Sequence, residues 1–189
     1  MESTRERLVD AAAKLLDRGG PAAVTLREVG KAAGVSHNAP YRHFADKDAL
    51  LAAVAARELA RQGANLAVGG GADVVALLQG YVRWAMRYPE RFRLTFGRWE
   101  RDDETLGEAA GGARRALVAA VAAAQRRGQL PKGDPERLAS LLLALAHGAA
   151  DLALAGHLSV KGKGRADPQD LIADLFAYLG AASGAPTGA

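Results

Sequence analysis

Apolar residues recur at helical spacing along almost the whole chain, and no stretch of four or more residues alternates as a half-buried strand would. Ser3 and Glu6 stand at the spacing of a capping box and open a helix predicted to run to about Arg18, with Leu8, Ala12, Leu15 and Leu16 as its apolar stripe. Gly19-Gly20-Pro21 stops it. Thr25 and Glu28 repeat the spacing ahead of a short helix carrying Leu26, Val29 and Ala33, which Gly34 ends. Ser36 stands where it would cap a third helix reaching Phe44. Asp46 stands likewise before a fourth, with Leu50, Leu51, Val54 and Leu59 inward, running out in Gly69-Gly70-Gly71. Beyond that linker the helices lengthen. The pattern predicts one from Asp73 to Tyr88, a short one over Glu90–Phe96 after Pro89, and one over Thr105–Arg127. Asp134-Pro135 and Asp167-Pro168 are paired cap-and-first-turn signals for the last two helices, joined by a Gly- and Lys-rich loop over Lys161–Arg165. The fold class is therefore all-α with about nine helices. A short-helix head at 1–50, a connecting helix and linker at 51–71 and a helical body at 72–182 are expected, with a disordered tail at 183–189.

Composition narrows the function classes. Of the 189 residues, 49% are hydrophobic, enough to bury a core and too many for a disordered chain. The absence of cysteine removes disulfides, thiolate metal sites and cysteine nucleophiles, and suits a cytoplasmic protein. The opening MESTRERLVD lacks the apolar core of a signal peptide. The most apolar run, Leu138–Leu154, is interrupted by Ser140, His147 and Asp151 and falls short of the roughly 20 residues of a spanning helix. It reads as a buried helix, with no membrane partner. The net charge is +4, yet residues 1–50 hold eight Lys/Arg against seven Asp/Glu. Nucleic-acid binding cannot rest on net charge here; it has to come from where individual charges sit.

Three short helices in the first 45 residues, the last two joined by a tight Gly-containing turn, make a helix-turn-helix. The second of that pair must be held rigidly to project into a major groove about 12 Å wide. Gly30 is expected to let the two helices approach closely, Gly34 to take the left-handed turn conformation, and Val35 to plug the space between them.

The segment from Thr25 to Leu51 resembles the DNA-binding domain of the TetR family. The resemblance rests on Gly34-Val35-Ser36, the run Tyr41-Arg42-His43-Phe44, and Lys47 before Ala49-Leu50-Leu51. It implies that Ser36–His43 form the recognition helix and that double-stranded DNA is the partner. On that footing His37 and Asn38 meet base edges, Asn being able to pair bidentately with adenine. Tyr41 and His43 bond phosphate oxygens or pack, and Arg42 reaches a phosphate or a guanine edge. Thr25 and Arg27 at the start of the preceding helix, together with Ser36 and Lys47, complete the DNA-contacting set, with Thr25 and Lys47 holding phosphates. Pro40 stands where many relatives carry an aliphatic residue; a proline there displaces the helix start and leaves the set of base contacts open.

The resemblance implies a body that binds a small-molecule effector and forms a homodimer. Leu138, Leu141, Leu142, Leu145, Ala149 and Leu152, with Leu171, Leu175, Phe176 and Leu179 of the last helix, are the expected dimer residues, since a helix apolar nearly all round needs two partners. Aromatics are only 5% of the chain but cluster between Tyr81 and Trp99. Trp84, Met86, Tyr88, Phe92, Phe96 and Trp99, with His147, are the expected ligand pocket, ordinary core packing being the alternative. The Ala146-His147-Gly148 segment, with Tyr88-Pro89-Glu90-Arg91-Phe92, resembles the WHG-type subgroup of the family, although its tryptophan is missing. His147 and Asp151 share a helix face, but a hydrogen-bonded pair is favoured over a metal site, so no metal and no cofactor other than the effector is expected. The chain carries no G-x-S-x-G, H-E-x-x-H or P-loop pattern, so it reads as a ligand-released repressor on a palindromic operator and not as an enzyme.

Overall fold

A computed structural model of the chain describes residues 2–68, 73–99, 102–162 and 164–183. Among the described residues the regular structure is all helical, as the pattern predicts. The helices are α1 (Thr4–Gly19), α2 (Leu26–Ala32), α3 (Ala39–His43), α4 (Lys47–Val68) and α5 (Val74–Arg87). They continue with α6 (Pro89–Thr95), α7 (Glu104–Arg126), α8 (Pro135–Leu154) and α9 (Pro168–Ser183), and a 3-10 turn spans Pro21–Ala23. The Gly69–Gly71 linker lies outside the described residues, as does the tail after Ser183; Ser183 itself closes α9. The chain forms two compact units: a head of Met1–Arg61 with Tyr88–Gly112, and a body of Gln62–Arg87 with the residues from Ala113 on.

In the head, the capping box at α1 is complete. Glu6 N donates to Ser3 Oγ at 3.2 Å, and Ser3 N donates to Glu6 Oε2 at 2.7 Å. At α2, Thr25 Oγ1 accepts from Glu28 N at 3.2 Å. Leu8, Leu16, Val24, Val29, Leu50 and Val54 are fully buried and pack with Phe44 into one core. Each such side chain contributes roughly 1.5–3 kcal/mol by leaving water. The two glycines act as expected. A Cβ built on Gly30 would stand 2.8 Å from Pro40 Cγ, so only glycine allows α2 and α3 to close on the Pro40 ring. Gly34 has φ +63° and turns the chain between them. Val35 is partly buried against the core.

The head also takes in α6, which the helical pattern alone groups with the body. The cause is Arg91, only 8% exposed. Its Nε donates to Asp17 Oδ1 of α1 at 2.8 Å, its Nη1 donates to Glu58 Oε1 of α4 at 3.2 Å, and its guanidinium stands 4.4 Å from the Tyr88 ring centroid. Burial alone would lower the guanidinium pKa; the bond to Asp17 and the charge of Glu58 more than offset this and hold it above its ordinary value. Glu58 is 2% exposed, so a buried charge on α4 depends on a cation from α6.

In the body, α5, α8 and α9 pack on one another. Leu78, Val82 and Ala85 of α5, Leu142, Ala146 and Ala150 of α8 and Ile172 of α9 are buried there, and Leu117, Val121 and Ala124 of α7 are buried as well. Both Asp-Pro starts are realised: Asp134 accepts from Glu136 N at 2.9 Å and Asp167 from Gln169 N at 2.8 Å. The Gln169 side chain accepts from Arg83 at 3.0 Å and its carbonyl from Gln79 at 3.2 Å, tying α5 to the first turn of α9.

The reading of α8 as a buried helix too short to span a bilayer needs correction. It is 20 residues long and, by length and composition alone, apolar enough to cross a membrane, with a mean hydropathy of 1.4 over its best window, of which 28% is buried. Leu142 and Ala149 point into their own unit, at 1% and 5% exposure, whereas Leu141 and Leu152 stand at 66% and 49%. One face of α8 is thus core and the other is open in the single chain.

Two stability predictions follow from these contacts. Gly30→Ala should cost about 1–3 kcal/mol, the usual penalty for overpacking a closed contact, and should be read in thermal melts. Arg91→Met leaves Glu58 buried without its closest cation and should lower the urea unfolding free energy by about 3 kcal/mol; a loss under about 1 kcal/mol would show that Arg57 and Arg61 carry Glu58 unaided.

Candidate nucleic-acid interface

The helix expected to be the recognition helix is shorter than the sequence suggests. α3 begins at Ala39, with Pro40 in its first turn, and ends at His43; Phe44 follows as its C-cap, its N–H donating to Pro40 O at 2.9 Å. Ser36 does not cap it. Its carbonyl instead accepts from Ala39 N at 3.0 Å, which closes a turn holding His37 and Asn38 before the helix. The physical reason is Pro40: it has no N–H, and its ring restricts the residue before it, so the helix cannot start earlier around it. His37 and Asn38 therefore reach outward from a turn and not from a first helical turn.

The nine expected DNA-contacting residues come together on the head. Thr25, Arg27, Ser36, His37, Asn38, Tyr41, Arg42 and His43 are exposed, and Lys47 is half-buried at the start of α4. Tyr41 is 52% exposed, unusual for a large ring beside a core, and its ring lies 5.9 Å from that of His37. Phe44, by contrast, belongs to the core, as expected.

One feature escaped sequence reasoning because its partners are far apart in the chain. Arg7 of α1 donates through Nη2 to the carbonyls of Ala33 at 2.5 Å and Gly34 at 3.3 Å. It grips the turn between α2 and α3 from 26 residues away, and no local pattern marks it.

Net charge says nothing about this surface, but the pairing of charges does. Among the described residues up to Arg61, Lys14 is paired with Asp10 at 2.6 Å, Arg57 with Asp10 and Glu58 at 3.6 Å each, and Arg61 with Glu58 at 3.9 Å. Arg7 and Arg18 donate to backbone carbonyls. Arg5, Arg27, Lys31, Arg42 and Lys47 have neither an ion pair nor a hydrogen bond among the described residues. Four of these five lie between α2 and the first turn of α4. Carboxylates neutralise Lys14, Arg57 and Arg61, whereas Arg27, Lys31, Arg42 and Lys47 keep their charge around the turn and α3, which suits a polyanion.

The expected pocket residues divide between the units. Tyr88, Phe92, Phe96 and Trp99 belong to the head, where Trp99 packs against the core and Phe92 is 2% exposed beside Phe96, their ring centroids 5.6 Å apart. Trp84, Met86 and His147 belong to the body, with Met86 41% exposed. The aromatic run is contiguous in sequence but not one cluster within either unit. In the body, Tyr81 Oη meets His147 Nδ1 at 2.9 Å, with Trp84 5.9 Å from the Tyr81 ring. His147 thus pairs with Tyr81, where Asp151 was the expected partner. Burial pushes the Tyr81 phenol up and the His147 imidazole down, Asp151 opposing the latter only in part, so the pair is neutral at pH 7.

Comparison with known proteins matches two segments of the chain. Residues 8–54 match the family described as bacterial regulatory proteins, tetR family, and residues 74–179 match the tetracyclin repressor-like C-terminal domain. The latter description is not that of the WHG-type subgroup which the segment around His147 resembles. An uncharacterized HTH-type transcriptional regulator of Mycobacterium tuberculosis is 37% identical over 67 residues, 35% of this chain; the chain spans about a third of the length of the curated relatives it matches (33%). A solved Rhodococcus sp. RHA1 protein of unknown function is 31% identical, with a TM-score of 0.77, covering 95% of this chain and 94% of that one. SmeT, the repressor of the Stenotrophomonas maltophilia multidrug efflux pump SmeDEF, is 26% identical with a TM-score of 0.64, covering 94% of this chain and 90% of its own, and is also known in complex with triclosan. The chain belongs to the tetR family of bacterial regulatory proteins.

Proposed function

We propose that the protein is a sequence-specific transcriptional repressor of the cytoplasm that binds a palindromic operator as a homodimer and leaves it when a small molecule occupies the body. The observation that carries the reading is the set of exposed side chains and unpaired cations around the α2–α3 turn, set against the carboxylate pairing of Lys14, Arg57 and Arg61. In this reading His37, Asn38 and Arg42 face base edges, while Thr25, Arg27, Ser36, Tyr41, His43 and Lys47 hold phosphates. Two heads bind about one helical turn apart.

The dimer contact is the open face of α8, where Leu141 and Leu152 flank the small residues Ala144 and Gly148, with Leu138 and Leu145 at its margins. The half-buried Leu171, Leu175 and Phe176 of α9 complete it; the Leu179 side chain lies outside the described residues. Leu142 and Ala149 serve the body's own core instead. The effector contacts Tyr81, Trp84 and His147, whose neutral hydroxyl–imidazole pair suits an apolar molecule with one hydrogen-bonding group. SmeT's complex with triclosan lends support to a ligand of that kind. Its greater affinity for the released conformation is what removes the repressor from DNA.

Selecting bound sequences from a random duplex pool, with and without candidate ligands, tests the whole reading; failure to enrich any sequence at low salt ends it. Lys47→Ala should weaken binding to every sequence alike and lower the salt slope by about one per bound head. Asn38→Ala should instead change the preferred base at one position per half-site. Separately, Leu141→Glu should convert the dimer to a monomer in sedimentation experiments; an unchanged dimer would move the interface off α8.

A further inference from the structure

Arg5 is the one unpaired cation among the described residues up to Arg61 that does not lie in the helix-turn-helix segment. It sits in the first turn of α1, exposed, 20 residues before Thr25 in sequence. The fold nevertheless brings it to the same place. Its guanidinium carbon stands 5.2 Å from the centroid of the Phe44 ring. Phe44 is 4% exposed, caps the C-terminus of α3, and precedes Lys47 by three residues. Arg5 is thus held over the junction of α3 and α4, where the proposed phosphate clamp at Lys47 begins.

Three physical points converge there. A cation over an aromatic face is fixed in direction without being neutralised, so its N–H groups stay available around the rim of the guanidinium. No carboxylate among the described residues lies within ion-pair distance of it. Ser3 and Glu6, its polar neighbours in the first turn, are occupied with each other in the capping box, and the bonds Glu6 makes to Ser3 hold its carboxyl below the usual range, so it stays committed to the cap. An arginine presented in this way is suited to bidentate contact with a phosphate.

We infer that Arg5 is a DNA-backbone contact, extending the interface from α3 and α4 onto α1 and binding a phosphate at the C-terminal end of the recognition helix. The inference rests on the DNA-binding reading above. Arg5 carries no sequence information; it fixes the register of the head on the duplex.

The test is fluorescence anisotropy of the full chain on its selected duplex over a series of KCl concentrations. Arg5→Ala, and Arg5→Met, which keeps an apolar stem over Phe44, are compared with Arg5→Lys and with the unaltered protein. Loss of the contact should weaken binding about tenfold at moderate salt and lower the slope of log K against log[KCl] by about one per bound head, with base preference unchanged. Arg5→Lys should keep the slope. An unaltered slope in Arg5→Met, whether or not its melting temperature falls, would overturn the inference and leave Arg5 as a cover for Phe44. Absence of specific binding by the unaltered protein would instead overturn the DNA-binding reading itself, so the two failures are told apart.

Discussion

What the head displays depends on the contact between Gly30 and Pro40. A helix-turn-helix works only if its second helix is held at a fixed angle to the first, and here the angle is set by a ring resting where any other residue would carry a Cβ. The same proline that closes the contact also fixes where α3 begins. Packing and presentation are therefore one constraint: the ring that buries itself against Gly30 pushes His37 and Asn38 into a turn whose side chains point outward. Arg7 reinforces the arrangement from α1 by binding the carbonyls of the turn, groups that would otherwise be left to water.

Around that constraint the head sorts its charges. Asp10, Asp17 and Glu58 pair with Lys14, Arg57, Arg61 and Arg91 away from the turn. Exposed pairs such as Lys14–Asp10 add little to stability. The pairs neutralise Lys14, Arg57 and Arg61 and leave Arg27, Lys31, Arg42 and Lys47 without a carboxylate partner. Arg91 differs in kind. It is buried, it satisfies two carboxylates from two helices, and it makes α6 part of the head. Removing one partner of a buried pair of this sort is costly, because it leaves a charge uncompensated.

The body shows the opposite economy. Its helices are rich in alanine and leucine, and α8 spends one face on α5 and α9 while the other stays open. That open face carries the exposed Leu141 and Leu152 beside small residues. Tyr81 of α5 and His147 of α8 meet at 2.9 Å, and burial favours the neutral form of both.

Much of the fold was legible in the sequence because its determinants are local. Capping boxes, Asp-Pro starts and glycine stops act within a few residues, so the helices emerge from the pattern with small shifts at their ends. The motif from Gly34 to Lys47 was legible for the same reason, as was the role of Gly30. Three things were decided only by the tertiary structure. Arg91 joins α6 to the head through partners 33 and 74 residues away, which divides the contiguous aromatic run between two units. Which residues of α8 form its open face could not be read, because leucine looks the same whether it faces a core or solvent. The set of unpaired cations could not be read from a net charge near balance, since pairing is a property of distance in space. The sequence by itself determined which segments would be helices and which of them would form the helix-turn-helix. The tertiary structure decided which faces and which charges were left over.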